Sequence, residues 1–221
     1  MTRLKKNGLL LFAHIGSLLP LAILVWDWSQ GNLTVNPIQA ATLRTGRFAI
    51  ILLILSLAIT PIHSLFGFRW IIPLRKWFGL YAAMYVGIHF WLFIGVDYGY
   101  NLSLIKADLI TKRYVIVGFF AGLILLPLAL TSTRGWQRRL RKNWKRLHRL
   151  VYIAGILASI HFIWLVKSDI RVPLLYGGMV VFLLALRIPV IRRYTKGLRF
   201  IRQWFPKRRP HSSSSAQSNP S

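Results

Sequence analysis

The sequence contains no cysteine and no glutamate. Without cysteine there is no disulfide, no thiolate-held zinc or iron–sulfur centre and no thioether-attached haem. Any redox centre must therefore be held without thiols. Acids are scarce as well: Asp27, Asp97, Asp108 and Asp169 stand against 30 lysines and arginines, for a formal net charge of +26 over 221 residues. What is abundant is apolar, since 55% of the residues are hydrophobic. A nucleic-acid binder with this charge would be hydrophilic, with its basic residues on one exposed face. Here charge and hydrophobicity are segregated along the chain, which is the pattern of a membrane protein with no nucleic-acid partner expected, and nucleic-acid binding stays only as the weaker alternative for the basic stretch 134–149.

Apolar runs of near-spanning length occur at about 7–28, 45–64, 77–97, 113–132, 147–167 and 172–191. About 20 residues cross a 30 Å hydrocarbon core as a helix. The expectation is an all-α integral membrane bundle of about six transmembrane helices. The first run resembles a signal peptide, but it has no small-x-small site at its end and more spans follow, so it reads as a retained helix. With the N-terminus inside, 23 of the 30 basic residues fall in inside segments and all four aspartates fall outside. The positive-inside rule then places both termini in the cytoplasm.

The spans read as one domain, 1–191. Residues 192–221 read as a basic, Ser-rich cytoplasmic tail, too polar to bury a core. The basic stretch 134–149 carries Trp136 and Trp144 and reads as an interfacial helix touching anionic lipid. Gly118 and Gly122 form a small-xxx-small pair whose default reading is helix packing. No internal repeat is evident in the sequence.

Histidines inside spans are candidates for chemistry. His89 lies about 13 residues past the inner boundary of the third run, and His161 about 14 past that of the fifth. The two runs point the same way, so both histidines sit at one depth, in the outer half. Two imidazoles facing each other on separate helices can clamp a haem iron. A zinc or copper site would want a third ligand, which no Cys, Glu or nearby Met supplies. Arg75, Ala82, Val86, His89 and Phe93 share one stripe of a helical wheel. Ala154 and Ala158 near His161 suit a porphyrin or close helix packing equally. His148 precedes His161 by 13 residues, about 20 Å along a helix, which puts it at the inner boundary. Thirteen residues turn about 220°, so the two share a face only if the helix is irregular between them. Arg75 occupies the position facing His148; it cannot ligate iron but suits a propionate, phosphate or quinone oxygen. His14 reads as a structural hydrogen-bonding residue or part of a quinone or second cofactor site. His63 reads as interfacial, and His211 is assigned no role.

These residues resemble the ferric-reductase-like membrane domains, which include eukaryotic metalloreductases and NADPH oxidases. That family carries two His pairs on alternate helices, at spacings of 14 and 13. Here His89 is the second member of the first pair, Arg75 stands at its first position, and His148 and His161 make the other pair. The closer resemblance is to the bacterial MsrQ family of haem-binding subunits. It rests on Gly46-Arg47, Thr60-Pro61, LRKWFGL at 74–80, GIHFWLF at 87–93, LITKRYVIVG at 109–118, LALTST at 128–133, the stretch from Trp144 to Lys167 and LLALR at 183–187. It covers about 7–190 and does not include the flavin and NADPH domain of the fused reductases.

The resemblance implies a cytochrome b subunit of the bacterial inner membrane. Such a subunit carries haem b, with FMN also assigned to the family. Electrons would pass from the quinone pool to a periplasmic MsrP-like molybdopterin reductase that repairs methionine sulfoxide. His89 and His161 would be haem-iron ligands, and His148 and Arg75 cofactor-associated. No flavin motif is recognisable. The alternatives are a transmembrane ferric or metal reductase and a non-redox membrane anchor.

Overall fold

A computed structural model describes residues 3–188. The tail at 192–221 and His211 lie outside the described residues. The architecture is all-α, as expected. Five helical stretches are long and apolar enough to cross a membrane, and a sixth, shorter apolar helix packs with them. Helix α1 is Arg3–Ser29 and α2 is Pro37–Phe66. Helix α3, Ile72–Trp91, continues into a π-helical turn at Leu92–Asp97. The short α4, Leu102–Thr111, precedes α5, Arg113–Leu130. Helix α6, Arg134–Leu147, leads through a 3₁₀ turn, His148–Leu150, into α7, Val151–Leu165; α8 is Arg171–Ala185.

Local chemistry sets these boundaries. The side chain of Asn36 accepts a hydrogen bond from the Gln39 amide at the start of α2, and Pro37 fills the first helical position. Gly67, at φ 76°, closes that helix in the left-handed conformation. Asn101 caps α4, accepting from the amides of Ser103 and Leu104. The sequence reading missed α4 because ten residues are too few to register as a span. Thr133 caps α6, whose basic surface has no buried residue, in keeping with an interfacial helix.

The core lies between α2, α3, α7 and α8, around the fully buried Leu57, Ala82, Tyr85, Ala154 and Val180. Small residues at 82 and 154 let the backbones approach. The Tyr85 hydroxyl donates to the Ser17 carbonyl at 2.9 Å and so anchors α1 to α3. Large apolar side chains such as Phe12, Leu126, Val181 and Phe182 point outward. In water they would form an unfavourable patch; in a bilayer they are the lipid-facing surface. One end of the bundle carries the arginine- and lysine-rich turns, and the other carries the four aspartates. At the aspartate end Arg44 pairs with Asp27, and Asp108 with Lys112.

Candidate cofactor sites

A cavity of about 360 Å³ opens in the aspartate-end half of the bundle. His89 and His161 both line it, with Val86, Phe93, Ala158 and Phe162 around them. Their ring centroids are 6.2 Å apart and the ring planes are nearly perpendicular. Nδ1 of His89 donates to the Thr42 carbonyl at 2.9 Å, and Nδ1 of His161 donates to the Tyr114 carbonyl at 2.7 Å. A carbonyl only accepts, so each neutral ring carries its proton on Nδ1 and keeps a free lone pair on Nε2. This is how a protein orients a metal-ligating imidazole. Metal–nitrogen bonds of about 2 Å would put two coaxial imidazole centroids roughly 6 Å apart, which matches the spacing found. Among the described residues no group of three or more His, Cys, Asp and Glu gathers. His89 and His161 are therefore the residues that would hold a haem iron, in a cavity lined mostly by apolar side chains.

Each histidine is seated on a glycine. A methyl group at Gly118 would come 2.5 Å from Nδ1 of His161, and one at Gly46 would come 3.2 Å from the ring of His89. The reason is helical geometry. Side chains lean toward the helix N-terminus, so the residue four positions on covers a carbonyl's exposed side. Gly46 stands four residues after Thr42, and Gly118 four after Tyr114. The two units repeat at a constant offset of 72 residues: Thr42 to Tyr114, Gly46 to Gly118, His89 to His161. The correspondence lies in a few contact positions and does not make an internal repeat of the sequence. Gly118 also does more than pack helices. Gly122 faces Phe90, whose ring a methyl group there would meet at 2.3 Å.

The second arrangement lies at the basic end. His148 occupies the start of the 3₁₀ turn that precedes α7. A 3₁₀ turn advances about 120° per residue against 100°, so three such residues add roughly 60°. Added to about 220°, this narrows the angle between His148 and His161 from roughly 140° to roughly 80°, short of one face. The His148 ring stacks on Trp144 at 4.0 Å, and its Nδ1 donates to the Trp144 carbonyl at 3.1 Å. Its Nε2 is buried and makes no hydrogen bond of good geometry, although the Leu128 carbonyl also lies near the ring. Arg75 lies close enough to His148 to repel its charged form.

A model of the family described as "Ferric reductase like transmembrane component" matches residues 45–171. The heme-binding subunit MsrQ of the protein-methionine-sulfoxide reductase from Xanthomonas axonopodis pv. citri is 43% identical over 181 residues, covering 79% of this chain and 83% of its own. The subunit of the same description from Rhodospirillum rubrum is 42% identical over 188 residues, covering 83% and 89%. The chain belongs to the MsrQ family. No solved structure matches it. The MsrQ relatives are described as heme-binding and their descriptions name no flavin, so the flavin expectation gains no support.

For this MsrQ-family chain the structure joins His89 and His161 in one cavity and places His148 apart from them, in the turn before α7. His14 proves to be hydrogen bonded, with Nδ1 2.8 Å from the Tyr81 hydroxyl. His63, near the end of α2, is half-buried with an unpartnered Nδ1. Sequence reasoning missed the carbonyls of Thr42 and Tyr114. The available signal was glycine at equal distance, 43 residues, ahead of each histidine.

Proposed function

We propose that this chain is a membrane cytochrome b subunit carrying electrons from the quinone pool to a periplasmic MsrP-like molybdopterin reductase, in support of methionine sulfoxide repair. The observation that carries the reading is the His89–His161 pair, each ring fixed by a backbone carbonyl and spaced at 6.2 Å. Haem b bound there supplies reversible one-electron chemistry. The Thr42 and Tyr114 carbonyls hold both imidazoles in the ligating tautomer and raise their basicity. Gly46 and Gly118 keep the rings from being displaced. Val86, Phe93 and Phe162 exclude water from the cavity. At the basic end, His148 and Arg75 serve a second, cofactor-associated site.

The charge distribution gives this conductor a direction. With the basic end in the cytoplasm of a bacterial inner membrane, the His89–His161 cavity lies toward the periplasm, where a partner collects electrons. Residues 1–191 form the membrane domain and 192–221 a cytoplasmic tail on this reading. A reduced-minus-oxidised spectrum of the purified protein tests it. Soret and α bands are expected; their absence overturns the haem assignment. Electron transfer to a co-expressed periplasmic reductase, compared with transfer to ferric chelates, separates the relay from a metal reductase.

A further inference from the structure

Arginine keeps its proton under all ordinary conditions. Inside a bilayer, a guanidinium therefore needs a complete set of acceptors or a counter-charge. Arg187, just past α8, is held in three ways. Its Nη1 donates to the Tyr152 hydroxyl at 2.7 Å, and its Nη2 to the Leu57 carbonyl at 2.6 Å. That carbonyl is free because the residue four positions on is Pro61, which has no N–H to offer it. The guanidinium also lies over the Tyr152 ring, 4.8 Å from its centroid. Yet its Nε–H is buried without a partner. Arg75 is exposed and reaches the same stretch of α2, three residues beyond Leu57. Its own side-chain contact is a long one, 3.4 Å to the Thr60 hydroxyl. His148 lies close enough to Arg75 to feel its charge.

No acid offsets these charges. Asp27, Asp108 and Asp169 form their ion pairs at the far end of the bundle, and Asp97 lines the other cavity. The chain has no other acidic side chain. Two permanent cations, one of them with an unpaired buried N–H, thus meet neighbouring turns of α2 at the membrane's basic side. A neutral ligand would satisfy the hydrogen bonds and leave the charge.

We propose that Arg75 and Arg187 form an oxyanion site for the carboxylate or phosphate group of a molecule whose ring system lies against His148. Arg187, fixed by Tyr152 and by the carbonyl that Pro61 frees, sets the position of the site. Arg75 has donors to spare and supplies the second charge. The proposal rests on the reading of the basic end as a cofactor site. It adds Arg187 to that site and states which part of the ligand the site recognises.

The test uses the full chain in maltoside micelles, which carry no phosphate. Haem b is compared with its dimethyl ester, and flavin mononucleotide with riboflavin. Each pair differs in the presence of the oxyanion, and the arm that discriminates identifies carboxylate or phosphate as the source. The charged member of one pair is expected to bind in addition to the His89–His161 haem, and the neutral member about tenfold more weakly. R75Q and R187Q should each weaken the charged member by about tenfold and leave the His89–His161 spectrum unchanged. Because Arg187 also tethers α8, R187K is included; it keeps the charge and should bind better than R187Q. Equal binding of charged and neutral members, wild-type binding by both R75Q and R187Q, or no extra binding of any of the four probes overturns the oxyanion site. A protein without any haem band would instead overturn the electron relay, so the two failures are distinguishable.

Discussion

The α2–α3 pair and the α5–α7 pair build the same device with unequal tolerance. In both, a histidine on one helix donates to a carbonyl of its neighbour beside a glycine, at the same sequence separation of 47 residues. The first unit leaves 3.2 Å between its ring and a hypothetical methyl group at Gly46; the second leaves 2.5 Å at Gly118. Its hydrogen bond is also shorter, 2.7 Å against 2.9 Å. The second histidine is therefore wedged more tightly onto its partner helix. Duplicated geometry need not mean duplicated packing, since each copy adapts to what surrounds it.

The strongest way to break the comparison is to remove the ligands. His89→Ala and His161→Ala should each abolish the haem bands of the shared cavity, because one imidazole cannot replace the pair. A difference between the two variants in absorbance would show that the halves are not equivalent ligands. Next in size is Gly118→Ala. The added methyl group must displace the His161 ring, and haem affinity should fall by about tenfold or more, read by titration of the reconstituted protein. Gly46→Ala should be milder and retain most of its haem, since a shift of a few tenths of an ångström relieves a 3.2 Å contact. Equal losses at the two glycines would contradict the assigned asymmetry.

The smallest effect belongs to the link between the halves. There Lys112, and then Tyr98, hydrogen bonds to Asp108 and holds its carboxyl below the ordinary carboxylate range. A depressed acid contributes stability above its unfolded value, near 4, and loses it as the pH falls through the folded value. Asp108→Asn should thus remove an acid-dependent loosening of α4, followed by hydrogen exchange against pH. The pair is near the surface, so the change should be modest. A steep acid transition that survives the substitution would assign the effect elsewhere.

Much of the site is legible in the sequence. Depth along a helix follows from counting residues, which is why His89 and His161 could be placed at one level. The helical period also implies that His148 and His161 share a face only if the helix is irregular between them, and the 3₁₀ turn at His148–Leu150 supplies part of that rotation. The glycines were legible only as packing residues. Their relation to Thr42 and Tyr114 depends on which helix lies beside which, and no periodicity within one segment carries that information. Arg187 was counted simply as a basic residue near the end of the last span. Its role emerges when α8 packs on α2 and meets a carbonyl that a proline has freed.

The sequence by itself determined that the chain spans a membrane, which end is basic, and that two histidines share a depth. These follow from hydrophobic length, charge placement and the rise of a helix, all properties of single segments. Only the tertiary structure decided the tautomer of each histidine, the purpose of Gly46 and Gly118, and the company of uncompensated cations at the basic end. Those depend on contacts between helices distant in sequence. In a bilayer such contacts are selected by steric fit and polar satisfaction rather than by burial of apolar area.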